Sequence, residues 1–196
     1  MFFFPVTAKA RARYKQAREL YRLCLLQARE PLYYSQYAVP DSFDGRFDLL
    51  SIHAGMMIIQ LNKLGKDGEK LAQALFDEMF VNMDQTCREM GVGDLSIPKH
   101  MKRMMKAFKG RALTYDAAMQ AGQADLQAAL QRNLYGTVAE PVPANMEAMA
   151  NYLLSLRDYF SGLKLEAFTA GSINMPMPIH FKNEFKPDHD KTSQAA

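Results

Sequence analysis

The chain has 196 residues, 48% of them hydrophobic and 23% charged, enough for one domain with a sizeable core, and this composition excludes a disordered or fibrous protein. The net charge of +3 is too small to imply nucleic-acid binding by itself, so the information lies in where the charges sit. Cys24 and Cys87 fall in predicted helices and form no CxxC pair, which argues against a disulfide framework and for buried thiols in a reducing compartment.

The opening MFFFPVTAKARARYKQ places apolar residues before charges, the reverse of a secretory signal. Its Arg-rich, acid-poor character resembles a mitochondrial transit peptide, but it runs into an amphipathic helix and reads as part of the fold. That first helix spans Thr7 to about Arg29, with Ala10, Tyr14, Ala17, Tyr21, Cys24, Leu25 and Ala28 at helical spacing. Arg11, Lys15, Arg18, Arg22 and Arg29 lie along one edge of the stripe. An aromatic connector, Pro31 to Pro40, holds Tyr33, Tyr34 and Tyr37, which either pack on the core or form an exposed patch.

The second helix, Phe43 to Gly65, is apolar almost all round and reads as central and buried, with Asp44 as its N-cap and Gly65 as its stop. Its apolar run, Leu49 to Ile59, is too short to span a bilayer. The third helix, about Asp67 to Met90, shows Ala72, Phe76, Met79, Phe80, Met83, Cys87 and Met90 on one face, and Gly91 and Gly93 end it. Ser96 is placed to cap the fourth, with Pro98 in its first turn, and this helix reaches about Ala121. A fifth helix covers Ala124 to Asn133, a turn-rich linker Gly136 to Asn145, and a sixth helix Met146 to Leu163. Beyond Gly171 the composition predicts an extended Pro-rich arm and a disordered tail. The class is all-α, a single-domain irregular helical bundle of about six helices with an extended C-terminal arm. Three segments are expected: a basic helix and connector over 1–40, the main helical domain over 41–165, and the arm and tail over 166–196.

On a helical wheel of the fourth helix, Lys99, Lys102, Arg103, Lys106 and Lys109 fall within an arc of about 120°. Ile97, Met101, Met104, Met105, Phe108, Ala112 and Tyr115 fill the opposite arc. Either this is a surface helix with a solvated side, or the one-signed face meets an external anion. A solvating face normally mixes signs, because like charges at i,i+4 repel, whereas here Lys99 faces Arg103 and Lys102 faces Lys106. Candidate anions are a lipid surface, ribosomal RNA or an acidic partner. Seven of the fourteen methionines lie between Met79 and Met119. They form either a soft core or a groove for apolar segments, and Met101, Met104, Met105 and Phe108 are the candidate apolar face.

His53, beside Met56 and Met57, reads as a satisfied core histidine rather than a haem ligand, and His100, His180 and His189 match no metal spacing. Asp77 and Asp84 align on the third helix but lack the Glu-x-x-His motifs of a di-metal site, and Arg88 stands ready to pair with Asp84 at i,i+4. GVGD and GKDG are turns and not phosphate loops. No catalytic residues, metal or cofactor are expected, and the chain is not expected to be an enzyme.

Three segments read together carry a resemblance: FDGRFDLLSIHAGMMIIQL (43–61), GEKLAQALFDEMFVNMDQTCREMGVGDLSIPKHMKRM (68–104) and FKGRALTYDAAM (108–119), followed by ALQRNLYG (129–136). Over about Asp41 to Asn151 the chain resembles the ubiquinol–cytochrome c chaperone family. The resemblance implies a non-enzymatic assembly factor of the cytochrome bc complex, respiratory complex III, that binds newly made cytochrome b. In mitochondria, members act at the ribosome exit region with a small partner protein. It implies a place on the cytoplasmic side of a bacterial inner membrane, or on the matrix side in a eukaryote, and no DNA. Basic helices suit work beside anionic lipid or ribosomal RNA, and methionines suit apolar segments of varied shape. The alternative is a basic ribosome- or RNA-binding helical module that acts on respiration indirectly. Within the resembling segments, Gly110 and Arg111 read as structural, with Arg111 or Arg46 expected to pair with Asp77 or Asp84.

Overall fold

A computed structural model describes residues 7–178. The apolar start and the tail beyond 178, with the disorder expected there and with His180 and His189, lie outside these residues. The helices are α1 (Ala8–Ala28), α2 (Leu32–Ser35), α3 (Phe43–Asn62), α4 (Gly65–Glu89), α5 (Ile97–Ala121), α6 (Gln123–Arg132), α7 (Pro143–Ser161) and α8 (Leu165–Ala170). The six predicted helices correspond to α1, α3, α4, α5, α6 and α7, and the class is all-α. The two extra helices are short: α2 is a single turn inside the aromatic connector and α8 has six residues. Neither is long enough to show a periodic stripe.

The nearly continuous apolar sequence of α3 has the expected consequence. Fourteen of its 20 residues are buried, because α1, α4, α5 and α7 all pack against it. At its start Ser42 accepts the Gly45 N–H at 3.1 Å, so Ser42 is the N-cap and Asp44 sits in the first turn, where its charge meets the positive end of the helix. At its end the helix stops at Asn62, and Gly65, at φ +74°, takes the left-handed turn that opens α4. In the middle, a Cβ on Gly55 would come within 2.9 Å of Ala112 Cβ, so this glycine lets α3 and α5 cross closely.

α1 runs parallel to α4. Lys9 pairs with Asp67 at 3.2 Å, Arg18 with Glu78 at 3.0 Å, and the Tyr21 hydroxyl donates to Asn82 Oδ1 at 2.8 Å, in ascending order on both helices. Of the two glycines expected to end α4, Gly91 is left-handed at φ +80° while Gly93 is not, and the Val92 N–H returns to the Cys87 carbonyl at 3.0 Å. Ser96 does stand before α5 with Pro98 in the first turn, but its backbone is αR and its side chain caps nothing. Its carbonyl instead accepts the His100 N–H at 3.0 Å. Gly122, at φ +135°, separates α5 from α6.

Tyr33 and Tyr37 are buried and Tyr34 is half-buried with its hydroxyl donating to the Ala28 carbonyl at 2.7 Å, so the connector packs on the core. Residues 171–178 form no helix or strand. Ile173 and Met175 are nonetheless buried, and the Asn174 N–H donates to the Tyr159 hydroxyl at 2.7 Å, so this stretch is a packed arm. Cys24 and Cys87 are free and buried, and burial pushes the Cys24 thiol up to about 12.

Candidate functional site

The surface around α5 collects the residues singled out by the sequence. Lys99, Lys102, Arg103, Lys106 and Lys109 are all exposed. Among the described residues none of them forms an ion pair with a carboxylate. Arg103 donates to His100 at 3.2 Å, and the Lys109 ammonium lies 5.5 Å from the centre of the Phe76 ring. The helix offers a row of cations whose neutralising partner is not on the same row.

The opposite side of α5 is divided among three recesses. Met101 and Met105 line an open groove of about 760 Å³ whose floor is Phe76, Phe80 and Val81 of α4. Phe108 stacks edge-on against Phe80, with centroids 5.8 Å apart, and reaches a second recess of about 400 Å³ between α3, α4 and α5. Met104 faces a smaller cavity between α1, α3 and α4. Met101, Met104 and Phe108 are buried and Met105 is half-buried, so these four side chains build the core while each also edges a hollow.

The carboxylates of the groove are occupied. Arg18 holds Glu78 and Arg88 holds Asp84 at 2.7 Å, as the i,i+4 spacing predicts, while Asp77 accepts from Gln73 at 2.7 Å. No group of three or more His, Cys, Asp or Glu among the described residues is arranged to hold a metal ion.

The expected partners of Arg111 and Arg46 are different ones. Arg111 pairs across the α3–α5 contact with Asp48 at 2.5 Å, and its guanidinium lies 5.3 Å from the Phe47 ring centre. Arg46 pairs with Asp41 at 2.7 Å and covers Tyr34. The reason is geometric: Asp77 and Asp84 line the groove beside the start of α5, whereas Asp48 meets Arg111 where α3 and α5 cross. Burial pushes the Asp48 carboxyl up to about 7, against the pull of Arg111.

His53 is a core histidine with both ring nitrogens engaged. Nδ1 donates to the Leu49 carbonyl at 2.7 Å, which leaves Nε2 to accept from the Tyr152 hydroxyl at 2.9 Å, with the Tyr33 hydroxyl 3.2 Å away. Gln27 Nε2 donates to the Tyr152 hydroxyl at 3.0 Å and to the Pro176 carbonyl at 2.9 Å, closing a buried polar cluster that periodicity could not reveal. Burial lowers the His53 imidazole to about 4, so it is neutral at physiological pH.

A family model described as ubiquinol-cytochrome C chaperone matches residues 35–175, most of the described structure. The chain belongs to the ubiquinol–cytochrome c chaperone family. The match extends beyond the 41–151 stretch on which the sequence resemblance rests and takes in the second half of the connector, the rest of α7, α8 and the first part of the packed arm. "Ubiquinol-cytochrome c reductase complex assembly factor 1" of Mus musculus and of Homo sapiens are each 23% identical over 150 residues, covering 76% of this chain and 50% of theirs. The chain thus spans about half the length of these mammalian relatives. The Xenopus laevis counterpart is 21% identical over 137 residues, 70% of this chain and 68% of that one. The crystal structure of the Cbp3 homolog from Brucella abortus superposes with a TM-score of 0.76 at 32% identity, covering 86% of this chain and 92% of the other. No helix among the described residues is long and apolar enough to cross a membrane.

Proposed function

We propose that this family member is a non-catalytic assembly factor of the cytochrome bc complex that receives newly made cytochrome b at the membrane surface, with Lys99, Lys102, Arg103, Lys106 and Lys109 as its electrostatic contact. The observation that carries the reading is the one-signed face of α5. Five exposed cations find no carboxylate among the described residues, while the other carboxylates near the groove already have partners. Like charges held together on one helix repel, so an external anion is the natural complement. Each basic residue near an anionic leaflet contributes about 1 kcal/mol, and five together give reversible peripheral binding. The adjoining groove lined by Met101 and Met105 offers adaptable apolar surface to a client segment. The same reading places the protein on the cytoplasmic side of a bacterial inner membrane or its matrix-side equivalent.

The test is the double reversal Lys102→Glu and Lys106→Glu, followed by co-sedimentation with vesicles containing anionic phospholipid at low salt. Association is expected to fall by more than tenfold with helicity unchanged, since two reversals remove about 2 kcal/mol of attraction and add repulsion. Equal binding by the variant would reduce the face to a solvated surface. If ribosomes, but not vesicles, lose the variant, and nuclease treatment of the wild type has the same effect, the face is an RNA contact.

A further inference from the structure

The cavity beneath Met104 is not used by the reading above. It holds about 170 Å³ and is lined by Tyr21, Leu25, Phe47, Leu50, Met83 and Met104, with Arg29 and Arg46 at its exposed side. Its size decides what it can take. Sites for drug-sized small molecules run from about 300 to 1,000 Å³. A cavity of about 150 Å³ lined by apolar side chains holds a single benzene ring. This one therefore fits one bulky side chain and little more.

The polar groups in the wall are nearly all occupied. The Tyr21 hydroxyl donates to Asn82, the Thr86 hydroxyl donates to the Asn82 carbonyl at 3.0 Å, and Arg46 is held by Asp41. Arg29 alone of the lining charges forms no ion pair among the described residues. Phe43, at 42% exposed, adds an apolar lip. An apolar hole of single-residue size beside one uncommitted guanidinium has the make-up of an anchor pocket, the kind that receives an aromatic or aliphatic residue at the centre of a protein contact.

We infer that this cavity receives a bulky apolar residue carried next to a carboxylate on a partner polypeptide, with the side chain between Met83 and Met104 and the carboxylate on Arg29. A terminal carboxylate or a neighbouring acidic side chain supplies the same charge, and a guanidinium binds either through paired N–H donors.

The experiment uses the full chain with ¹³C-methyl methionine and two probes that differ only in charge, N-acetylphenylalanine and N-acetylphenylalaninamide. Both are expected to shift the Met83 and Met104 methyl signals, with the carboxylate bound about tenfold more tightly, the size of one charge-assisted hydrogen bond at a partly exposed site. Arg29→Gln is expected to erase the difference between the probes while leaving the amide unchanged. Thr86→Leu, which fills the cavity from its solvent side and spares the core, is expected to abolish both shifts. Silence at Met83 and Met104, or no advantage for the carboxylate, overturns the inference. So does a fatty-acid series from hexanoate to palmitate whose affinity keeps rising beyond the chain length that fills the cavity, because that describes a free-lipid site. None of these readouts involves the α5 cations, so the vesicle experiment and this one can fail separately.

Discussion

Two buried titratable residues set the acid–base behaviour of the core, and they work against each other. The His53 imidazole is lowered to about 4 by burial, below its unfolded value of 6.5. The unfolded chain therefore binds the extra proton first, and stability present above pH 6.5 is lost as the pH falls towards 4. The Asp48 carboxyl is raised to about 7 from 3.8, mainly by burial. Here the folded chain binds the extra proton, so stability present below pH 3.8 is lost as the pH rises through 7. Between pH 7 and 5 each effect amounts to about 2 kcal/mol, and they nearly cancel. Asp48→Asn removes one side of the balance. Its thermal unfolding should lose about 2 kcal/mol more than the wild type on going from pH 7 to 5, and parallel pH profiles for the two proteins would refute the assignment. Arg111→Ala should cost about 3–5 kcal/mol at pH 8, since it strands a buried carboxylate, and Asp48→Asn in the same chain should recover part of that loss. Spacing along one helix could not reveal this pair, because its members sit on different helices and meet only where α3 and α5 cross.

At the scale of elements, two glycines in the α3–α5 pair make opposite predictions. Gly110 lies in the interior of α5 on its exposed side, with nothing within 4 Å of a built Cβ. Gly110→Ala should raise stability by about 0.5–1 kcal/mol through helix propensity alone. Gly55→Ala places a methyl 2.9 Å from Ala112 Cβ and should lower stability by about 1–3 kcal/mol, as overpacking does. Chemical denaturation of the two variants reads both signs directly. The long helices were legible in the sequence because each buries a stripe: α4 repeats its apolar residues at 72, 76, 79, 80, 83 and 87, and the continuous run in α3 announces a helix surrounded by others. Caps were less legible. Ser42 and Asp44 are equally good cap types two residues apart, and only the backbone decides between them. The cations of α5 could be placed on one face by spacing alone. The division of Met101, Met104, Met105 and Phe108 among three hollows could not, since it depends on where α1, α3 and α4 lie.

Over the whole molecule, the arm at 171–178 acts as a strap. It buries Ile173 and Met175 and brings the Pro176 carbonyl to Gln27. A chain ended after Gly171 should unfold with roughly 2–4 kcal/mol less stability, the apolar burial lost less the chain entropy regained, and calorimetry beside the intact protein measures it. A difference below about 0.5 kcal/mol would mean that the strap only rests on the surface. Composition pointed to an extended Pro-rich segment here. It could not indicate the docking, because the partners are polar atoms far away in the chain.

That separation bears on how the protein is made. Gln27 and Pro176 are 149 residues apart, and Gln27 and Tyr152 are 125 apart, yet they share one buried cluster with His53. A ribosome adding about 5–20 residues each second needs roughly 10–30 s between the first partner and the last. During that interval α1 and α3 hold an incomplete set of hydrogen bonds in a place without water, a costly arrangement. The amino-terminal helices are therefore expected to complete their packing only once Pro176 has been made, with the docking of residues 171–178 as a late step of folding.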